Sequence, residues 1–347
     1  MEICGIVYTD ENEKWDSIVK SFKQYEVFYM VEYVRAFEEL RNEKAMLFWY
    51  DDGETRAINV VMKRDIAAIE EFENVIEEGK FFDLQTPYGY GGMIIEGKNK
   101  EKVWEEYTKI CKTENIVCEF VRFSLFANGE TYYDGYTETR THNIVRNLEL
   151  SDEDLYADFE HKVRKNLKKA ERNELKFIVD EEGKYFEEFL KIYYDTMKRN
   201  NASDEYYFPR TFFEKFLQMP TNAAWFHVQK DGQIISTELV IYNENNCYSY
   251  LGGTYADYFE YRPNELLKVG IMLWAKQKDI KNFVLGGGYG TDDGIFKYKK
   301  SFAPQGVRDF YIGHRIMMHD MYNKLVEIRE QSSDFDRNTL YFPKYRG

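Results

Sequence analysis

One stretch, residues 282–302, constrains the fold more than any other part of the sequence. It begins with the short apolar run 283–285, which predicts a buried strand, and continues with three glycines at 286–288. A helical pattern resumes at Ile295. Glycines at the end of a strand let backbone N–H groups come close to a ligand at the mouth of a sheet. The stretch therefore predicts either a tight strand-to-helix turn or a ligand-binding loop.

Two well-known nucleotide loops are excluded at this position. The third glycine of the dinucleotide pattern G-x-G-x-x-G is missing, and no Gly-Lys-Ser/Thr follows as in a P-loop. The glycines alone therefore assign no cofactor.

The composition indicates a globular protein with two domains. A chain of 347 residues with 44% hydrophobic residues is long for a single core. The longest apolar run, residues 45–50, is too short to cross a bilayer, and the N-terminus lacks the pattern of a signal peptide. The four cysteines form no C-x-x-C pair, and the five histidines show no metal-ligand or triad spacing. The sequence thus predicts a reduced, cytoplasmic protein without a bound metal, a disulfide framework or a transmembrane segment.

Charge and pattern change near residue 150. Residues 1–150 carry 30 acidic and 18 basic side chains, whereas residues 151–347 carry 31 and 29, out of a net charge of −14. Ser151 and Asp154 have the spacing of a helix start. We therefore predict domains at 1–150 and 151–330. An acidic total disfavours broad affinity for nucleic acid, although it leaves room for a local basic face.

A repeated hairpin suggests that the two domains share one fold. Residues 45–62 and 223–241 each contain an apolar strand, a turn that closes in Asp-Gly, and a longer strand. Each hairpin follows an aromatic-rich helix. This pattern predicts an α+β fold built from two similar lobes.

A basic helix follows the predicted boundary. Residues 161–172, HKVRKNLKKAER, have a narrow apolar seam and one strongly basic side. Such a helix is either a solvated surface or a binding surface for a polyanion.

The motifs, taken together and in order, resemble the FemABX-like peptidyltransferases, which belong with the wider GNAT acyltransferases. The resemblance covers nearly the whole chain. It is carried by the following sequences: TPYGYGG at 86–92, FVRFSLFAN at 120–128, the basic helix, Tyr193-Tyr194-x-Thr196-Met197-x-Arg199, ISTELVIY at 235–242, Leu251-Gly252-Gly253, Pro263-Asn264, Leu285-Gly286-Gly287-Gly288, Asp293 through Phe296, Tyr298-Lys299 and Phe302.

The resemblance implies two GNAT-like lobes with a cleft between them and a C-terminal tail, about residues 331–347, that returns to the first lobe. It also implies transfer of an aminoacyl or acyl group to an amine of a cell-wall or surface-polysaccharide precursor. Two features of such enzymes are missing. The Gln/Arg-x-x-Gly-x-Gly/Ala loop that holds the pyrophosphate of acetyl-CoA is replaced by YFEYRPNELL, and a long helical-hairpin arm is absent.

Two residues are candidates for the chemistry of aminolysis, which needs a neutral amine and a stabilised oxyanion. Lys299 matches the lysine of the family's Phe-Lys-x-x-Phe motif, where its ammonium could neutralise an oxyanion or a phosphate. Otherwise it is a solvated helix lysine. Glu238 lies in the middle of a predicted strand, where a buried carboxylate needs a partner. It is either a general base for the incoming amine or the partner of a neighbouring lysine.

Arginines and glycines complete the predicted site. Arg199 could bind a phosphate or carboxylate with its guanidinium, or cap its own helix. Three lysines of the basic helix, Lys165, Lys168 and Lys169, are the predicted tRNA contacts, and Lys297 and Lys300 are further candidates. The resemblance places the following residues at the acceptor: Tyr88, Tyr90, Arg122, Arg199, Tyr206, Tyr207, Gly253, Asn264, Gly287, Gly288 and Asp293.

Three functions are consistent with these observations. The first is a FemABX-like acyltransferase that uses aminoacyl-tRNA and a nucleotide- or lipid-linked envelope precursor, with no bound cofactor. The second is an N-acyltransferase that transfers an acyl group from acyl-CoA to a sugar amine. The third is a GNAT-like binding protein without turnover.

Overall fold

The structure, a computed structural model, describes residues 3–288, 290, 293–333 and 335–347. The strands are β1 (Cys4–Val7), β2 (Lys44–Asp51), β3 (Arg56–Asp65), β4 (Phe82–Gln85), β5 (Ile94–Glu96), β6 (Ile116–Arg122), β7 (Tyr136–Asn147), β8 (Lys176–Asp180), β9 (Ala223–Lys230), β10 (Gln233–Tyr242), β11 (Asn246–Thr254), β12 (Asn282–Gly286) and β13 (Val307–Ile316). The α-helices are α1 (Asn12–Lys20), α2 (Val31–Arg41), α3 (Lys100–Thr113), α4 (Asp152–Asp158), α5 (His161–Arg172), α6 (Phe186–Arg199), α7 (Arg210–Leu217), α8 (Pro263–Gln277), α9 (Gly294–Lys300) and α10 (His319–Arg329).

The chain divides into two compact units. Unit 1 comprises the residues up to Arg140 together with Phe310–Gly347, and unit 2 comprises Thr141–Asp309. The division thus falls before the boundary near residue 150 that the charge shift suggests. Residues 310–330, which the sequence analysis assigns to the second domain, group with unit 1. The chain passes from one unit to the other within β7 and again within β13. The composition of these strands gives no sign of a linker.

Unit 1 is a mixed sheet covered by helices. Its strands follow the order β1-β2-β3-β4-β6-β13, with β5 paired to β3. The β2–β3 hairpin is antiparallel, as the sequence predicts, and Gly53 takes the positive φ of 88° that its turn requires. One core cluster includes Val103 and Tyr107 of α3, and a second includes Tyr322 and Leu325 of α10.

The C-terminal segment is anchored in the interior of unit 1. Tyr345 is fully buried, and its hydroxyl donates to Asp83 Oδ2 at 2.9 Å. Arg346 Nε donates to the same oxygen at 2.7 Å, while Arg64 Nε donates to Asp83 Oδ1 at 2.6 Å. A buried carboxylate with these donors is well satisfied, so the end of the chain is an integral part of unit 1.

One predicted element of unit 1 is wrong. The apolar spacing over residues 66–78 predicts a helix, but the structure has two short 3₁₀ turns, Ile66–Ala68 and Glu70–Phe72. Asn74 has a positive φ of 61°, which is incompatible with a continuous α-helix, and the Asp65 carboxylate accepts from the backbone N–H groups of Ala67 and Gly79, which ties the two ends of this segment together.

Unit 2 is also a mixed sheet. Its strands follow the order β7-β12-β11-β10-β9-β8, in which β11–β12 is parallel and the other pairs are antiparallel. The predicted β9–β10 hairpin is present, with Gly232 at a φ of 85° in its turn. Ser151 Oγ accepts from the Asp154 backbone N–H at the start of α4, as predicted. Pro263 is the first residue of α8, a position that proline favours.

Candidate functional site

The site is built where β11 and β12 stop pairing. The two strands pair in parallel from Asn246 with Asn282 to Tyr248 with Val284. Beyond that point β11 continues to Thr254, whereas β12 ends at Gly286 with a positive φ of 80°. A cavity of about 350 Å³ lies along this part of β11. Its walls are Thr196, Arg199, Thr237, Glu238, Ser249, Tyr250, Leu251, Gly252, Gly253, Thr254, Phe259, Asn264, Leu267, Lys268, Ile295, Tyr298 and Lys299.

The glycine stretch brings Lys299 back onto the strand end. Lys299 Nζ donates to the carbonyl oxygen of Gly287 at 2.7 Å. It also lies 3.2 Å from the position that a Cβ on Gly286 would occupy, so a larger residue there would crowd the ammonium. Lys299 is partly buried and hydrogen-bonded to the strand end, so it differs from a freely solvated helix lysine. Burial, with a further contribution from the charge of Lys268, lowers the pKa of Lys299 to about 8.

Asp293 fixes the start of the helix that carries Lys299. Its carboxylate accepts from the backbone N–H of Phe296 at 2.8 Å and of Gly290 at 2.9 Å. A Cβ on Gly288 would collide with this carboxylate. The predicted residues Gly287, Gly288 and Asp293 therefore shape the turn and helix cap that hold Lys299, and they are not among the cavity walls.

Glu238 is paired with Lys268, a residue that the sequence does not mark as a site residue. Lys268 Nζ donates to both of its carboxylate oxygens and to Ser249 Oγ. The side chains of Lys268 and Glu238 are only 12% and 6% exposed, so the pair is buried. Glu238 thus occurs in the structure as the partner of a neighbouring lysine, while its role as a general base remains a prediction.

Arg199 bridges α6 and β11 inside the cavity wall. Its guanidinium donates to Thr254 O at 3.0 Å and to Asp195 Oδ2 at 3.2 Å, and it stacks over the Phe259 ring at 5.2 Å. The guanidinium therefore reaches the neighbouring strand rather than the carbonyl groups of its own helix. Gly253 permits this approach of α6, because a Cβ there would collide with Thr196.

Asn264 closes the cavity at the start of α8. Its side-chain oxygen accepts from Ser236 Oγ at 3.2 Å and from Thr254 Oγ1. Lys299, Glu238, Arg199, Gly253 and Asn264 are thus brought together by the fold. Tyr206 and Tyr207 are not among the cavity walls; the Tyr206 carbonyl accepts from Tyr193, and Tyr207 is 39% exposed.

The other predicted acceptor residues lie in unit 1. Tyr90 packs edge-on against Phe28, with ring centroids 5.4 Å apart, and burial raises the pKa of its phenol. Tyr88 stacks on Phe37 at 5.8 Å. Both tyrosines are packed anchors of their loop, whether or not they also contact a ligand.

Arg122 faces a separate cavity of about 1190 Å³ within unit 1. Its guanidinium lies over the Phe120 ring at 5.1 Å and makes only long hydrogen bonds to Thr86, of 3.4 and 3.5 Å. No acidic side chain in the described part of the chain pairs with it. Burial lowers the pKa of Arg122, which nevertheless stays a cation at any physiological pH. An arginine in this setting suits an anionic ligand.

The basic helix α5 presents its charges to solvent. Lys165 and Lys168 are exposed and Lys169 is partly exposed, and none of the three has an ion-pair partner among the described residues. Arg164, by contrast, donates to the carbonyls of Ala157 and Phe159 and is used within the fold.

Unit 2 also contains a row of buried polar side chains that the sequence does not predict. His227, which is fully buried, lies between Asp180 Oδ2 at 3.3 Å and Thr237 Oγ1 at 2.8 Å. Asp180 also accepts from the backbone N–H groups of Lys184 and Tyr185. Asp180 lies 47 residues before His227 on another strand, so the spacing of these residues in the sequence carries no signal of their contact. Their burial fits a role in holding β8, β9 and β10 in register.

The described ranges contain neither a cluster of metal ligands nor a helix that could span a membrane. No group of His, Cys, Asp and Glu side chains there could hold a metal ion. None of the described helices combines the length and the apolar character that a bilayer crossing requires.

Comparisons with known proteins agree with this geometry. Residues 157–300 match the acetyltransferase (GNAT) domain family. No curated protein sequence matches the chain significantly. The crystal structure of FemX matches with a TM-score of 0.69 at 14% identity, over 93% of this chain and 99% of that one.

Two further solved structures are also similar. The C-terminal domain of a putative lysylphosphatidylglycerol synthetase from Agrobacterium fabrum has a TM-score of 0.55 at 13% identity, over 92% of this chain and 97% of that one. L-PGS from Bacillus licheniformis has a TM-score of 0.55 at 12% identity, over 88% and 92%. At these identities the likeness is one of fold, and it confirms the predicted fold of two GNAT-like lobes. The predicted cleft between the lobes stays a prediction.

Proposed function

Because residues 157–300 form a GNAT acyltransferase domain, we propose that the protein transfers an aminoacyl or acyl group to an amine, with the unit 2 cavity as the reaction site. The observation that carries this proposal is the position of Lys299. Its ammonium lies in the wall of a cavity that also contains the buried Glu238–Lys268 pair. A fixed positive group in such a wall can stabilise the negative charge that develops on the acyl carbonyl oxygen during transfer.

The reaction is an aminolysis. The nitrogen of the acceptor amine attacks the carbonyl carbon of the donor, and the C–O or C–S bond to the carrier then breaks. Lys299 faces the oxyanion of the intermediate and stabilises it. The amine loses a proton, which passes to Glu238 directly or through a water molecule and then to the departing carrier.

The donor we propose is aminoacyl-tRNA. The fold match with FemX over nearly the whole chain supports it, as does the exposed basic face of α5. A polyanion binds such a face through its phosphates. The second candidate is an acyl-CoA thioester, which the GNAT domain match favours. Against it stands the sequence YFEYRPNELL, which replaces the usual pyrophosphate loop before α8.

The acceptor we propose is a cytoplasmic precursor of the cell wall or of a surface polysaccharide, linked to a nucleotide or a lipid. Such molecules carry phosphates and carboxylates, which guanidinium groups bind with two parallel hydrogen bonds. Arg122, which has no acidic partner among the described residues, and Arg199 are the groups we assign to them.

A donor screen tests this function. Purified protein is incubated with acyl-CoA thioesters or charged tRNAs and with amino sugars or nucleotide-linked precursors, and acylated amines are identified by mass spectrometry. We expect transfer from charged tRNA. Transfer from acyl-CoA alone would mean that the donor is an acyl-CoA and not charged tRNA. An absence of transfer from every donor would contradict the proposed function.

A further inference from the structure

Tyr298 lies in the wall of the unit 2 cavity. Tyr298 directly precedes Lys299 in α9, and its ring packs edge-on against Phe302 with centroids 5.1 Å apart. Its hydroxyl oxygen is buried and has no hydrogen-bond partner among the described residues. The indole nitrogen of Trp225 is also without a partner, but Trp225 is not a cavity-wall residue.

The packing of α9 does not explain this hydroxyl. A buried donor without a partner is unfavourable, and a phenylalanine would fill the same space without that cost. The hydroxyl is therefore a feature of this protein that the fold alone does not require.

We propose that the Tyr298 hydroxyl is a second catalytic donor, which hydrogen-bonds the acyl carbonyl oxygen as it becomes an oxyanion beside the Lys299 ammonium. This inference rests on the proposed acyl transfer. The N–C bond forms, the bond from carbonyl carbon to carrier breaks, and the carbonyl is restored. Tyr298 keeps its proton throughout.

The surroundings of Tyr298 suit a neutral donor. Burial, together with the negative charges of Glu265 and Glu238, raises the pKa of the phenol well above its ordinary value. The hydroxyl consequently remains protonated over the whole pH range in which Lys299 is charged. Donors that are fixed before the reaction and aimed at the developing charge give the largest stabilisation of an oxyanion.

The test is Tyr298→Phe, with kcat and thermal stability measured together. The donors are acyl-CoA thioesters, aminoacyl-tRNAs and 4-nitrophenyl esters of acetate and glycine. We expect kcat to fall roughly 10²-fold with a nearly unchanged KM, which is typical of a lost oxyanion donor. We also expect Tm to rise, because the unpaired hydroxyl is gone.

Tyr132→Phe is the matched control, because the Tyr132 hydroxyl donates to the Met93 carbonyl at 3.0 Å in unit 1. Its Tm should fall while kcat stays at the parent value. A Tyr298→Phe protein with the parent kcat, or with a lower Tm, would overturn this inference even though the parent is active. If the parent accelerates transfer from none of the donors, the proposed function fails and this role fails with it.

Discussion

Lys268 Nζ lies 2.6 Å from Oε1 and 2.5 Å from Oε2 of Glu238, and 2.6 Å from Ser249 Oγ. All three hydrogens of the ammonium are thereby used. Both side chains are buried, so the pair neutralises two charges that the cavity wall could not otherwise contain. The arrangement holds Glu238 in one place and leaves Lys299 as the cavity-wall lysine without a carboxylate partner in the described part of the chain.

Removing one partner of this buried pair should be costly. Lys268→Met leaves the Glu238 carboxylate buried without a partner, and we expect the free energy of unfolding to fall by about 3–5 kcal/mol. Adding Glu238→Gln should recover much of that loss, because no charge is then left alone. Urea unfolding of the two single variants and the double variant measures the coupling.

Lys14→Met provides the comparison for that cycle. Lys14 pairs with Glu11 on the surface, with side chains 51% and 47% exposed, and its loss should change stability by no more than about 1 kcal/mol. If Lys268→Met is as stable as Lys14→Met, the buried pair is not what stabilises this wall.

The rate of transfer should fall as the pH rises through about 8. The lowered pKa of Lys299 means that its ammonium, which the oxyanion requires, is lost above that value. At lower pH the rate should rise with pH as the acceptor amine loses its proton, so the pH–rate profile is bell-shaped. Lys299→Arg keeps a positive charge at all these pH values and should lose the descending limb. A descending limb that persists unchanged in Lys299→Arg would assign it to another group.

Arg199→Lys should weaken acceptor binding more than turnover. An ammonium cannot form two parallel hydrogen bonds with one phosphate or carboxylate, and hydrogen bonds to charged groups are worth about 1.5–3 kcal/mol. We therefore expect the KM for the acceptor to rise roughly tenfold or more, with a smaller change in kcat. Arg210→Lys, at an exposed pair with Glu187, is the control and should leave both constants unchanged. A fall in kcat alone would remove Arg199 from acceptor binding.

The lysines of α5 should determine the use of tRNA. Lys165→Glu, Lys168→Glu and Lys169→Glu together should abolish transfer from charged tRNA while acceptor binding persists. Each phosphate contact that is lost should lower the slope of log affinity against log salt by about one. The matched control carries Lys14→Glu, Lys20→Glu and Lys80→Glu, which change the net charge equally. If both triple variants use tRNA equally well, α5 is only a solvated surface.

The sequence predicts those parts of the structure that depend on local pattern. The two hairpins, the proline at the start of α8 and the passage from strand to glycines to α9 all follow from spacing over a few residues. The motif around Lys299 is also local, so the sequence identifies this lysine as a candidate.

Long-range contacts could not be predicted in this way. Lys268 has the pattern of an ordinary helix lysine, because its partner Glu238 lies 30 residues earlier on another element. Tyr345 and Arg346 likewise meet Asp83 across most of the chain length. Such pairs depend on packing geometry, which a single sequence does not encode in its spacing.

The transfer rate of Lys299→Met, measured beside its thermal stability, tests the central claim most directly. A charge aimed at a developing oxyanion is worth about 2.7–4 kcal/mol, so we expect a loss of roughly 10²–10³-fold in kcat. Tm at neutral pH should be equal to or higher than that of the parent, because a buried ammonium with a lowered pKa is itself unfavourable in the fold. A Lys299→Met protein that transfers acyl groups at the parent rate would contradict the account.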